Sequence, residues 1–322
     1  MDNQLKISII IPVKPGGEVK ALEGLRQIDY PAELYEIIVV EGKQPSVQRN
    51  AAAAQAAGDV LYFLDDDSAV SSGFLGRVVG QYADQSVAAV GGPSLTPITD
   101  SPFQRTIGLA LTSLFGGGGV RNRYRKTGTA RKTGEHELIL CNLSFRKDLF
   151  LASGGLDERL YPNEENELMD RLVKEGRVLV HDPELAVFRS QRPTVKAFVR
   201  QMFTYGRGRG EQTLLSGVVK PVTFAPSLFF LYLCLLPFFL TPLHAAPLLG
   251  YLLAAVVFAV RESRQGGNLA LFPRLLGVFP ALHLLYGAGV LWGMVSPRYK
   301  KSSQKAHDVV LTKLKQFGEP FH

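Results

Sequence analysis

The chain has 322 residues, 46% of them hydrophobic, and a formal net charge of +7, enough material for more than one domain. No Lys/Arg block and no known binding motif stands out, which argues against a nucleic-acid partner. The positive charge suits phosphates or an anionic membrane surface instead. Only two cysteines occur, Cys141 in a polar region and Cys234 in an apolar one, which argues against a disulfide framework.

The opening MDNQLKISIIIPV has no basic region followed by an apolar core and a small-residue cleavage site, so the polar part is expected to stay in the cytosol. Lys6–Val13 reads as a buried β-branched strand ended by Pro12 and the turn Pro15-Gly16-Gly17. Glu18–Ile28 has helical spacing. Tyr35–Gly42 is a second buried strand ending on Glu41, and Ser46 would cap a helix through Arg49, Asn50 and the Ala51–Ala57 stretch. Val60–Leu64 is strand-length and apolar and stops at three acids, Asp65, Asp66 and Asp67. A helix over Gly73–Tyr82 and a strand over Val87–Val90 follow.

Strand and helix alternating at these intervals predict an α/β domain with a mostly parallel sheet. Lys14, Glu41 and Asp65–Asp67 would then meet at the carboxyl ends of three strands, where such folds bind ligands. No GxGxxG follows the first strand, against a dinucleotide-binding domain. Three adjacent acids repel one another. Either the turn is solvated, or a hard divalent cation such as Mn²⁺ or Mg²⁺ neutralises it.

Phe103–Phe115 predicts an amphipathic helix. Gly116–Gly119 and the basic run Arg121, Arg123, Arg125, Lys126 predict a mobile loop, either solvated or closing over phosphates. Glu137–Arg146 has strand character. Asn163–Glu175 opens a helix with Glu164, Glu165 and Glu167, a placement that the helix dipole alone favours. Residues 195–212 are basic and aromatic and are expected to lie along a membrane surface.

No Asp, Glu, Lys or Arg occurs between Lys220 and Arg261, so spans are expected near 222–240 and 243–260. A third apolar segment, 271–295, contains Arg274, Gly277, Pro280 and His283. It is expected to bend at Gly277 and Pro280, dip into the membrane and return, leaving the basic tail 296–322 in the cytosol. A single crossing would place Arg298, Lys300, Lys301, Lys305, Lys313 and Lys315 outside, against the positive-inside rule.

Taken in order, IIIPVK, EIIVVEG, the Asn-containing Ala-rich helix, FLDDDS, NEENELMDRLVKEGRVLVHDPE and RPTVKAFVRQMFTYGRGRG resemble family 2 inverting glycosyltransferases of the GT-A fold. The glycine–arginine run and HLLYGAGVLWG are most similar to succinoglycan-type exopolysaccharide enzymes. Three departures stand out: Glu41 and Glu165 where the family usually has Asp, and a shorter stretch between Glu41 and the Ala-rich helix. Arg189 sits about where many relatives carry a metal-binding His.

The resemblance implies residues 1–212 as a cytosolic GT-A domain, followed by membrane helices over 222–295 in the cell inner membrane. It implies a nucleotide-diphosphate sugar donor held by Pro12, Val13, Lys14, Glu41, Arg49, Asn50, Asp65 and Asp66, and a metal ion on Asp65 and Asp67. It implies Glu165 as the base, with Glu164 as reserve base or as an arginine's partner. Arg200, Gln201, Arg207 and Arg209 would hold phosphate or a polyprenyl-linked lipid acceptor. Transfer to polyprenyl diphosphate-linked glycan, transfer directly to polyprenyl phosphate and a silent nucleotide-sugar-binding scaffold are the three functions to separate. The intact acidic motifs count against the scaffold, and the few spans count against a processive synthase.

Overall fold

The computed structural model describes residues 5–217, 219–239, 241–300 and 308–321. Leu240, Lys301 and Lys305, expected in a span and in the tail, lie outside the described residues. In chain order the elements begin with β1 (Ile7–Val13), α1 (Ala21–Leu25), β2 (Tyr35–Glu41), α2 (Pro45–Gln55), β3 (Val60–Leu64) and α3 (Phe74–Gln81). Then come β4 (Val87–Gly91), β5 (Ser94–Leu95), α4 (Pro102–Thr112), β6 (Arg131–Thr133), β7 (Asn142–Arg146), α5 (Lys147–Ala152) and α6 (Glu164–Lys174). The chain continues through β8 (Val178–His181), β9 (Val187–Phe188), α7 (Val195–Ser216), α8 (Ala225–Leu235), α9 (Pro242–Gln265) and α10 (Phe272–Val295), and ends with β10 (Val310–Lys315).

Two compact units divide the chain. The first comprises Met1–Leu95, Asn122–Arg189 and Gln304–His322, the second Thr96–Arg121 and Ser190–Ser303. This division differs from the expected boundaries at 212, 222 and 296, because α4 and α7 join the apolar helices and the tail joins the sheet.

The first unit is an eight-stranded sheet in the order β10-β2-β1-β3-β7-β4-β8-β6. Its strands β1 to β4 are buried along nearly their whole length because both faces are covered. Ile9, Ile37 and Tyr62 pack on one face, and Ile10, Ile38 and Phe63 pack on the other against Ala52, Ala53 and Leu168. Parallel register pairs Val13 with Glu41 and Ile10 with Phe63, so three strands end at one edge, as the pattern predicted. The sheet is mostly but not wholly parallel: β7 runs antiparallel between β3 and β4, and β6 and β10 are antiparallel edges.

The tail is not a free basic segment. β10 pairs with β2, Lys313 bonds Glu36 at 2.8 Å, and the Lys315 ammonium donates to the Ala32 and Tyr35 carbonyls, both at 2.7 Å. A strand with that many lysines reads as solvated from sequence. It becomes an edge because the long lysine stems can bury while their heads find carbonyls and a carboxylate.

The second unit is helical. Three of its segments, Pro221–Phe238, Pro242–Gln265 and Leu269–Val295, are long and apolar enough to cross a membrane. The third does not bend back: α10 continues unbroken through Gly277 and Pro280. His283 is satisfied by the Tyr251 hydroxyl at 2.8 Å and the Phe115 carbonyl at 2.9 Å, and Arg274 by the Ala270 carbonyl at 3.0 Å. Helix α10 lies closely against α7 through glycines on both. A Cβ on Gly206 would meet the Tyr286 carbonyl oxygen at 2.1 Å, and one on Gly210 the Val290 oxygen at 2.3 Å. One on Gly289 would meet the Phe203 oxygen at 2.2 Å, and one on Gly293 the Arg207 oxygen at 2.2 Å. Small residues at i and i+4 on both partners let the two backbones touch.

That packing makes a direct prediction. Gly293→Val forces a side chain into the α7 backbone and is expected to destabilise by at least about 1–3 kcal/mol, read as a lowered midpoint in thermal unfolding of the detergent-purified protein. Gly277→Ala, where nothing lies within 4 Å, is expected to leave the midpoint unchanged or slightly raised.

Candidate active site

The carboxyl edge of β1, β2 and β3 carries the acids. Asp65–Asp67 follow β3 directly, and Ala69, two residues on, exchanges both backbone hydrogen bonds with Phe188 at 2.9 Å. That bridge, continued by β5 pairing with β9, holds Arg189 beside the acidic turn. The Arg189 guanidinium contacts Asp65 Oδ2 at 3.0 Å and Asp67 Oδ1 at 2.6 Å. From the other side, Arg49 on α2 contacts Asp65 Oδ1 at 2.8 Å and Glu164 Oε1 at 3.5 Å. Carboxylate and guanidinium thus alternate from Glu164 through Arg49, Asp65 and Arg189 to Asp67. Burial, then the adjacent Asp67 and Asp65 charges, push the Asp66 carboxyl above its ordinary value, with Arg189 opposing. Its backbone carbonyl accepts from Ala21 at 2.9 Å.

Helix α6 starts on Asn163, whose φ of +86° asparagine tolerates better than most residues. Glu164 and Glu165 follow in the first turn and are both buried. Burial, then the neighbouring Glu165 charge, push Glu164 upward against Arg49. Burial also pushes Glu165 upward, opposed first by Arg123. The structure makes Glu164 the partner of Arg49 and leaves Glu165 facing a different set of charges.

The glycine–arginine run predicts a mobile loop at Arg123, either solvated or closing over phosphates. Arg123 is instead buried, donating to Glu135 at 3.0 Å and to Asn166 at 2.6 Å. Lys126 pairs with Glu184 at 2.6 Å and Arg125 with Asn122 at 2.8 Å. Arg123 and Lys126 are committed within the protein because acids outside the run, Glu135 and Glu184, come to meet them. No spacing rule reveals such pairs.

The remaining expected donor residues divide. Val13 is buried, Lys14 is exposed, and Pro12 is buried within β1. Glu41 accepts from the Gly16 amide at 3.2 Å, which ties the end of β2 to the turn after β1. Asn50 points elsewhere: its amide donates to the Leu156 carbonyl and Glu158 and accepts from the Leu156 amide, fastening the segment before α6. Gln48, which the sequence did not single out, donates to the Val13 carbonyl at 2.9 Å and to the Val40 carbonyl at 2.5 Å, locking the two strand ends together.

Arg200, Gln201, Arg207 and Arg209 belong to α7 in the second unit. Arg200 is exposed. Gln201 donates to the Tyr205 hydroxyl at 3.0 Å. Arg209 donates to Gln212 at 3.0 Å. Arg207 is buried, 3.4 Å from Glu211, and its Nη2 makes no hydrogen bond among the described residues.

These elements define a GT-A fold with an acidic strand-end site. Residues 17–151 match the family model "Glycosyl transferase family 2". A mannosyltransferase from Pyrobaculum calidifontis, solved with GDP-Man and Mn²⁺, superposes with a TM-score of 0.55 over 91% of this chain and 88% of that one, at 14% identity.

Residues 17–151 thus carry a family 2 glycosyltransferase match, and the chain is a glycosyltransferase. It is similar to the succinoglycan biosynthesis protein ExoA of Rhizobium meliloti, 29% identical over 76% of this chain and 72% of that protein. It is also similar to a pre-mycofactocin glycosyltransferase of Mycobacterium tuberculosis, 24% identical over 62% of this chain and 46% of that protein.

The ion-pair chain predicts a pH-dependent defect. Arg49→Met leaves Glu164 buried without its guanidinium, a change expected to cost about 3–5 kcal/mol. A carboxyl whose folded pKa lies above its unfolded one contributes its stability at low pH and loses it as pH rises through the folded value. The gap in thermal midpoint between Arg49→Met and wild type is therefore expected to be wide at about pH 8 and to narrow toward about pH 5.

Proposed function

We propose that the chain transfers a sugar, with inversion, from a nucleotide-diphosphate donor to a polyprenyl-diphosphate-linked glycan in exopolysaccharide biosynthesis. The observation that carries this reading is the convergence of Asp65 and Asp67 on a single cationic centre at the strand ends, linked through Arg49 to Glu164, the neighbour of buried Glu165. Likeness to a succinoglycan biosynthesis protein supports the pathway class.

Two carboxylates aimed at one positive charge suit a hard divalent ion, Mn²⁺ or Mg²⁺. Among the described residues no group of three or more His, Cys, Asp or Glu could hold a metal, so Asp65 and Asp67 would share it with oxygens of the donor. Bound there, the ion would supply positive charge to the departing diphosphate. Glu165 takes the proton of the acceptor hydroxyl as that oxygen attacks the anomeric carbon. The nucleoside diphosphate leaves from the opposite face. Glu164 orients Arg49, and Arg49 fixes Asp65. On α7, the buried Arg207 offers an Nη2 that makes no hydrogen bond among the described residues, suited to a lipid phosphate.

The test is transfer of radiolabelled sugar by purified protein, using a panel of nucleotide sugars with Mn²⁺ or Mg²⁺ and membrane lipid acceptors. The label is expected on a diphosphate-linked oligosaccharide lipid that survives mild alkali. A polyprenyl-monophosphate sugar would instead favour direct transfer to the lipid phosphate. Glu165→Gln is expected to keep donor binding and lose about 10²–10⁴-fold in turnover. The base acts deprotonated, and burial raises its pKa above the ordinary 4.5. Wild-type turnover should therefore fall on the acid side through a midpoint above 4.5.

The proposed location is the cell inner membrane, multi-pass, with the catalytic unit cytosolic. The pairing of β10 in the same sheet as β1–β3 supports a reading in which the chain leaves and re-enters one side, with an even number of crossings. Helix α10 packs along α7, which bears Lys196, Arg200, Arg207, Arg209 and Glu211, and 39% of the apolar 18-residue stretch in the third segment is buried within the protein, against 11% in each of the others. The crossings are thus assigned to 221–238 and 242–265, and α10 stays with α7 at the interface. Alkaline phosphatase fused at Thr241–His244 is expected to be active. A fluorescent protein fused after His322 is expected to be bright, and phosphatase activity there would overturn the assignment.

A further inference from the structure

Arg189 is the feature of the site that the proposed mechanism does not use. Its guanidinium spans Asp65 and Asp67 at 3.0 and 2.6 Å, and its side chain is only 19% exposed. Its backbone is held as firmly as its head. The Arg189 amide donates to the Leu95 carbonyl at 2.9 Å, and Phe188 is bonded in both directions to Ala69 on the acidic turn. Acids and arginine are therefore mounted on one small frame, and the contact does not depend on a loose loop.

A guanidinium is charged at every accessible pH and its flat fork suits two carboxylate oxygens at once. It lies against the same two carboxylates to which the proposed function assigns the divalent ion. Two cations on one carboxylate pair repel. Resting on that assignment, we propose that Arg189 competes with the divalent ion for Asp65 and Asp67, so that metal entry requires the guanidinium to release at least Asp67. A nucleotide diphosphate favours the exchange on two counts, since it brings oxygen ligands for the ion and an anion for the displaced guanidinium. Arg189 is then a positioning residue that makes metal binding depend on donor binding, which is reciprocal by linkage.

The test uses the full-length protein in detergent and Mn²⁺ alone, followed by the electron paramagnetic resonance signal of the free ion. Arg189→Gln is expected to bind Mn²⁺ at least about tenfold more tightly than wild type. Arg189→Lys, which keeps the charge but not the fork, is expected between the two. Adding Asp67→Ala to Arg189→Gln should remove the gain. Equal Mn²⁺ affinity in wild type, Arg189→Gln and Arg189→Lys, with Asp67→Ala still abolishing binding, overturns the role of Arg189 and leaves the metal site standing. Mn²⁺ binding indifferent to Asp67→Ala, or no binding by any form even when a nucleoside diphosphate is added, overturns the metal assignment and the competition with it. Should Arg189→Gln fail to fold, affinity in Arg189→Lys no higher than in wild type is the overturning result.

Discussion

Glu164, Asp65 and Asp67, together with Arg49 and Arg189, are held in an alternating chain of charge at the carboxyl edge of the sheet. Taking such groups out of water costs several kcal/mol each unless every one is matched. The matching requires α2, the turn after β3, the start of α6 and the strand before Arg189 to meet within ion-pair distance. Four segments far apart in sequence are thereby fixed to one another by electrostatics, and the hydrophobic sheet beneath supplies the rigid base. Arg49 is the pivot, because it contacts both the α6 acid and the acidic turn. The turn itself is strained by its own charge: Asp66 feels both neighbours, and Arg189 relieves that repulsion.

The second unit is organised by contact distance rather than by charge. Glycines at 206 and 210 on α7 and at 289 and 293 on α10 bring two backbones together. Close backbone approach yields dense van der Waals contact, which is the main attraction available to helices where there is little water to exclude. The consequence reaches the membrane question. Helix α10 has the length and hydropathy of a span, yet it is joined along its glycine face to a helix rich in arginine. Hydropathy measures a segment in isolation. It does not register that a neighbour has already taken one face.

The tail adds a constraint that reaches beyond its size. Six residues, Val310–Lys315, pair with β2 and return the chain to the sheet it left. Lys313 and Lys315, which as bare charges would serve a positive-inside argument, are engaged by Glu36 and by backbone carbonyls.

The sequence by itself determined the strands β1, β2 and β3, their common edge and the acids delivered there. These depend on local pattern: apolar runs of strand length, Gly and Pro at their ends, and helices between them that dictate parallel pairing. It also determined the first-turn placement of Glu164 and Glu165 and the apolar stretches of the second unit. Tertiary structure alone decided the antiparallel insertion of β7, the edge strand β10 and the unbroken course of α10. It also decided that Arg123 is buried rather than mobile, that Asn50 serves the segment before α6, and that Arg189 bridges two acids 122 and 124 positions away. A periodic pattern reports which face of an element is buried. It carries no information about which distant charge will be found there, because partner choice depends on how whole elements pack and not on the residues beside each one.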